Sequence, residues 1–299
     1  MSIFSINNVS FSYPNGTHVF SSLDLEVSKG EIVGVLGPNG SGKSTLFGLL
    51  TKQMMPTSGQ ILCEGQPIEN SKYMLDVGCV FQSISLDPLL TVFENLWLQG
   101  VLYEIPSLEI KKRIEALATQ FQFDLMLSRR VKYLSGGYAR RVEIAKSLIH
   151  QPKIILLDEP STGLDPKSRL DLFQWIELIK TRRDITVVWI SHYTDEVQKM
   201  DRVVMLHEGK IVCDGKPHEL VNQLSYFHVQ AKMKSDHVID AIEGIAQDIA
   251  LQGDRLSFRI EKDQLHQSLT TIIPHVEFFM YREPNLEDVY LEKTGVYFS

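Results

Sequence analysis

EIVGVLGPNGSGKSTLFGLL, residues 31–50, joins a short apolar run rich in valine and isoleucine to a helical-looking run through a loop holding three glycines. Gly37 to Thr45 fits G-x-x-x-x-G-K-[ST] with a strand pattern before it and a helix pattern after it, the context in which that spacing has a mechanism. Gly40 and Gly42 let backbone amides curl around phosphate oxygens, and the start of the helix adds partial positive charge. Lys43 is placed to reach the β- and γ-phosphates of a nucleotide, and the Ser44 hydroxyl is the expected Mg²⁺ ligand.

Working outward, β-rich runs alternate with helical ones. SGQILCEG (58–65) and VGCVFQ (77–82) follow the loop; KIILLDEP (153–160), a helical run from Lys167 to about Thr181, and ITVVWISH (185–192) come later. The alternation is that of an α/β fold, and the continuous apolar strands imply a sheet covered on both faces. Open α/β sheets bind ligands at strand ends, where this chain puts its polar residues. IILLDE ends in two carboxylates: Asp158 fits a direct or second-sphere place at Mg²⁺, which leaves Glu159 to position or deprotonate a water. Gln82 closes one apolar run and can set an amide near metal and water; His192 closes another, where a neutral imidazole can meet a γ-phosphate.

Between about Pro88 and His150 the strand signals stop, which predicts a helical insertion. TVFE (91–94) has capping-box spacing, and the helix expected after it, through about Leu102, is apolar over more than one stripe, so part of it is a candidate surface for a partner protein. LSGGYARR (134–141) sets Ser135 as an N-cap and two glycines at the start of a further helix, a second place where amides can approach phosphate. After about Leu220 the pattern restarts as YFHVQAKM (strand), DHVIDAIEGI (helix), AQDIAL and RLSFRIE (a hairpin around Gln252–Asp254), DQLHQSLTTII (helix) and HVEFFMYR (strand). That βαββαβ order predicts a small ferredoxin-like domain.

A net charge of −7 argues against broad adhesion to nucleic acid or anionic lipid. Cys63, Cys79 and Cys213 are odd in number and lack metal-ligand spacing, which points to reduced thiols. No apolar stretch is long enough to span a bilayer and the N-terminus lacks a secretory pattern, so any membrane role is expected to be peripheral.

Taken together, these elements resemble the ATP-binding cassette family, the ATPase subunits of ABC transporters. The resemblance spans about Met1 to Leu220 and rests on six ordered motifs. It implies a P-loop NTPase core with a helical subdomain at about 88–150 within an ATP-binding domain of residues 1–222, followed by a small α+β accessory domain, 223–299. Under it, the family's Walker A maps to Gly37, Pro38, Asn39, Gly40, Ser41, Gly42, Lys43, Ser44 and Thr45, holding ATP, and Tyr13 is the aromatic that stacks on adenine. The Q-loop maps to Gln82, Walker B to Ile154–Asp158, the catalytic glutamate to Glu159, the D-loop to Thr162–Asp165 and the switch histidine to His192; Ser44, Gln82 and Asp158 are the implied Mg²⁺ ligands. The signature maps to Leu134–Tyr138, with Ser135, Gly136 and Gly137 intact and Tyr138 in place of its final glutamine. The tyrosine ring is expected beside the nucleotide or facing the partner.

The resemblance further implies a homodimer whose two copies sandwich ATP head to tail, peripheral attachment at the cytoplasmic face of the membrane, and a separate integral membrane permease. FQSISLDPLLTVFENL (81–96), ARRVEIAKSL (139–148) and PNLEDVYLEKTG (284–295) resemble the drug, lipid and polysaccharide exporter branch, of daunorubicin-resistance type. The rival reading is a soluble ATPase of the same family acting on ribosomes or DNA, but such proteins carry two cassettes or long coiled coils, and neither occurs here. The C-terminal domain is expected to serve dimer contact or to brace the cassette, with ligand sensing as the alternative.

Overall fold

The computed structural model describes residues 2–69, 72–234, 242 and 244–298. They divide into two compact units, Met1–Lys216 and Pro217–Phe298.

In the first unit, a six-stranded sheet runs in the order β10-β9-β3-β8-β7-β6. Its members are β3 (Ile32–Leu36), β6 (Val77–Val80), β7 (Ile154–Asp158), β8 (Thr186–Ser191), β9 (Arg202–His207) and β10 (Lys210–Gly215). All neighbours pair in parallel except β10, which turns back against β9 at the edge. Every residue of β3 and β8 is buried, as both-faced covering requires of an uninterrupted apolar strand.

A second, antiparallel sheet, β2-β1-β4-β5, is built from β1 (Ser2–Ser12), β2 (His18–Ser28), β4 (Ser58–Cys63) and β5 (Gln66–Pro67). The run at 58–65 therefore stands outside the α/β alternation that its sequence pattern predicts and pairs with the N-terminal strand, Ile61 opposite Ile6. Helix α1 (Lys43–Leu50) lies between the two sheets and buries all its residues but Ser44. Leu46, Leu49 and Leu50 share one core with Phe4 and Phe20 of one sheet and Val35, Leu156 and Ile190 of the other. That sandwiching fixes the loop before α1 at the C-terminal ends of β3, β8 and β7.

Three helices form the insertion: α2 (Val92–Leu102), α3 (Ser107–Gln120) and α4 (Gly136–Leu148). Thr91 caps α2 in a reciprocal capping box with Glu94. Val92 and Leu96 are buried, whereas Leu98, Val101 and Leu102 are 50%, 50% and 70% exposed, so the wide apolar surface divides into a core stripe and an outward one. The cassette is completed by α5 (Pro166–Arg183), capped by Asp165, and the short α6 (Thr194–Val197).

The second unit holds α7 (Pro217–Asn222), β11 (Tyr226–Met233), β12 (Gln247–Gln252), β13 (Arg255–Glu261), α8 (Leu265–Ile272), β14 (Val276–Arg282) and α9 (Leu286–Thr294). Its strands pair antiparallel in the order β12-β13-β11-β14, which is the split arrangement of a ferredoxin-like sheet. Val229, Phe258, Ile260 and Ile272 are among its core residues. The helix expected over 236–245 falls mostly outside the described residues.

Candidate functional site

The loop at 37–42 enters α1 through Gly42, at φ 109°, with no side chain capping the first turn, so the leading amides stay open. A Cβ at Gly42 would stand 2.8 Å from the Phe20 ring, which makes glycine a requirement of packing as well as of φ. Lys43 Nζ donates to Gly37 O (2.7 Å) and Pro38 O (2.9 Å). Burial lowers the Lys43 pKa, while the nearby Glu159 and Asp158 carboxylates oppose the shift. Asn39, Gly40 and Ser44 are exposed; Ser41 Oγ is buried with no hydrogen-bond partner among the described residues. Tyr13 OH bonds Thr45 Oγ1 at 2.9 Å, which ties the aromatic to the first turn of α1 while its ring stands edge-on to Phe11.

Parallel register brings the other strand ends alongside. Leu36 pairs with Ser191 and Asp158 with Ile190, so the residues following β3, β8 and β7 emerge side by side. Burial, and then the charge of Glu159, push the Asp158 carboxyl up to about 6, against the pull of Lys43 and Arg140. A carboxylate so disfavoured in its ionised form gains from a cation beside it. The exposed Ser44 hydroxyl, the Asp158 carboxylate and the Gln82 amide oxygen are hard oxygen donors of the kind Mg²⁺ takes, and the open amides of the loop suit phosphate.

Glu159 follows β7 in the left-handed region at φ 46°, with its amide bonded to Ile190 O at 3.0 Å. Its carboxylate accepts from Gln82 Nε2 at 3.1 Å and Thr162 Oγ1 at 3.2 Å on Oε2, and lies 3.1 Å from His192 Nδ1 on Oε1. The side chain is 14% exposed. Gln82, His192 and the adjacent pair Asp158 and Glu159, three separate places in the sequence, thus come together at one end of the sheet. Thr162, within the segment read as the D-loop, had no individual role in that reading; a hydroxyl three residues after the carboxylate was the available signal.

Ser135 caps α4, its Oγ accepting from Tyr138 N at 3.4 Å. No hydrogen bond among the described residues joins Ser135, Gly136 or Gly137 to the Lys43–Glu159 cluster. A Cβ added at Gly136 would meet nothing within 4 Å, and one at Gly137 would meet only Ser168 Oγ at 3.5 Å, so the glycines are not demanded by the packing of this chain. Tyr138 is half-buried with its ring on the Arg141 guanidinium at 5.1 Å, and Arg141 also covers Trp175 at 4.4 Å. The ring is therefore engaged inside its own chain.

Residues 20–162 match a family model described as ABC transporter. Over 305 residues the chain is 30% identical to the Nod factor export ATP-binding protein I of Rhizobium etli, covering 99% of this chain and 94% of that one. Over 283 residues it is 32% identical to the spermidine/putrescine import ATP-binding protein PotA of Haemophilus influenzae, covering 89% of this chain and 74% of that one. Among solved structures, cbiO1 of Clostridium perfringens, part of the ABC transporter complex cbiONQ, superposes with a TM-score of 0.70 at 27% identity, covering 81% of this chain and 95% of that one.

Proposed function

Because the chain belongs to the family of ABC transporter ATP-binding subunits, which hydrolyse ATP, we propose that it powers export through a separate membrane permease. One observation carries the direction: the alignment with the Nod factor export relative takes in nearly the full length of both chains, C-terminal unit included, whereas that with the PotA importer leaves about a quarter of the importer unmatched. The relatives above are all transporter subunits, which leaves the ribosome- or DNA-acting alternative without support.

In this reading the loop amides from Gly37 to Thr45 and Lys43 bind the nucleotide phosphates, and Tyr13 lies against the base. Ser44, Asp158 and Gln82 would hold Mg²⁺, which when bound would supply positive charge beside the nucleotide phosphates. Glu159 orients the attacking water and accepts its proton; Gln82, Thr162 and His192 fix where that carboxylate points. His192 also faces the γ-phosphate. Hydrolysis needs a second copy, whose Ser135, Gly136 and Gly137 close over the phosphate from the far side.

Converting a two-copy equilibrium from ~1:99 to ~99:1 takes ~5.5 kcal/mol of differential affinity. A few charge-assisted bonds at ~1.5–3 kcal/mol each supply that only while the γ-phosphate is present. The exposed Leu98, Val101 and Leu102 of the helical subdomain are the surface through which closure reaches the permease. The subunit sits at the cytoplasmic face of the membrane, held there by the permease; no helix among its described residues is long and apolar enough to cross a membrane.

Inside-out membrane vesicles carrying the chain and the permease that co-purifies with it provide the test. ATP-driven accumulation of substrate inside the vesicles is the expected result. Transport that runs the other way would reverse the assigned direction.

A further inference from the structure

Helix α4 carries the signature residues at its start, and one to two turns later it sends Arg140 and Glu143 inward, with side chains 5% and 1% exposed. Arg140 Nη1 donates to Glu143 Oε2 at 2.6 Å and to Phe81 O at 2.7 Å, and its Nη2 donates to Gln82 O at 2.7 Å. Glu143 Oε1 accepts from Ser85 N at 2.7 Å, and Lys146 Nζ donates to Ser85 O at 2.9 Å. Residues spaced by three along a helix share a face, so one face of α4 grips the backbone of 81–85 at four points. The Gln82 side chain meanwhile points away from that grip to Glu159.

A buried ion pair is a poor stabiliser, since apolar residues of similar volume commonly serve the fold as well or better. Here the capacity left after the Arg140–Glu143 contact goes to the main chain around Gln82. We infer that Arg140 and Glu143 are positioning residues that fasten the Gln82 segment to α4, so that the Gln82 amide meets Glu159 only while the signature helix is in place. The tie connects what one copy presents to its partner with the carboxylate that orients water in its own site. It rests on the roles proposed above for Gln82 and Glu159.

The test is a double-mutant cycle on the full chain, with kcat and KM for ATP measured for Gln82→Ala, Arg140→Lys and the two together. Lysine keeps the charge but cannot reach two carbonyls with a planar fork. Arg140→Lys is expected to lower kcat about tenfold, with a rise in KM for ATP no larger than that of Gln82→Ala, because it acts only by misplacing the Gln82 amide. The double variant is expected to turn over no more slowly than Gln82→Ala alone, as required when one residue acts through the other. Multiplying effects, or a rise in KM beyond that of Gln82→Ala, would overturn the tie while leaving the site intact. Wild-type turnover in Gln82→Ala alone would instead remove the role of Gln82, and the tie with it. Should Arg140→Lys fail to fold, the same cycle with Glu143→Gln carries the same expectation.

Discussion

Glu159 and His192 face each other at 3.1 Å, Oε1 to Nδ1, and they come from neighbouring strands, β7 and β8. With Gln82 and Thr162 on its other oxygen, the carboxylate is fixed from three elements while standing at the edge of the phosphate loop. An amide at position 159 keeps the shape, and its oxygen can still accept from Gln82 and Thr162, but it turns an NH2 toward His192 and cannot take a proton from water. Glu159→Gln is therefore expected to bind ATP, accumulate as an ATP-dependent dimer and lose about 10²–10⁴-fold in turnover, the range spanned by general-base catalysis. Steady-state hydrolysis and light scattering with and without ATP check it; a monomer at saturating ATP would contradict a two-copy sandwich in the isolated chain.

Gly136 separates folding from function. It opens α4 with empty space where a Cβ would go, so alanine fits the isolated chain and slightly restricts its unfolded state. Gly136→Ala is expected to hold or raise the thermal midpoint and to leave ATP binding to the 37–45 loop intact. The added methyl obstructs the close approach of helix amides to phosphate from the partner's site, so hydrolysis is expected to fall by tenfold or more, about 1.4 kcal/mol. Full turnover in a well-folded variant would remove the signature helix from the mechanism.

What was readable from sequence was what is local. The loop at 37–45, the carboxylates closing β7 and the capping box at Thr91 are each set by residues within a few positions of one another. Pairings across the chain left no such trace. β4 carries an ordinary strand pattern, and only its register against β1 shows that it belongs to the antiparallel sheet. Tyr138 reads as a misfit in a motif until Trp175, 37 positions on, is seen behind Arg141. Arg140 likewise looks like one more surface charge in ARRVE until the 81–82 carbonyls, nearly sixty positions earlier, are found at its guanidinium.

Cys63, at the end of β4, and Cys79, in β6, are set up to be inert. Burial pushes the Cys79 thiol up to about 12, and burial with the charges of Glu64 and Asp76 pushes Cys63 up to about 11. Because the thiolate is the reactive form, alkylation of both at pH 8 is expected to run more than about 100-fold slower in the native chain than in denaturant. Peptide mapping after timed labelling reads this directly, and comparable rates in the two states would refute the burial argument.

Asp288 makes the pH behaviour of the C-terminal unit specific. It is 5% exposed at the start of α9, where it accepts from Arg282 Nη1 at 2.6 Å and from Asn285 N at 2.8 Å, with His228 Nε2 2.7 Å away. Burial alone would raise its carboxyl, but the close approach of His228 and the hydrogen bonds from Arg282 and the Asn285 amide outweigh it and hold the pKa well below the ordinary carboxylate range. A depressed folded pKa contributes stability that is complete above the unfolded value, ~3.9, and disappears only as pH falls through the folded one. Asp288→Asn leaves His228 and Arg282 facing a neutral group; since Arg282 is half-exposed, the cost is expected at ~2–3 kcal/mol, below the full figure for breaking a buried pair. Hydrogen-exchange protection of the α9 amides, corrected for intrinsic rates, should therefore differ between wild type and variant by less at pH 3 than at pH 5. The same difference persisting from pH 5 down to pH 3 would mean that the carboxyl titrates near its ordinary value in the folded chain and that these contacts do not hold it.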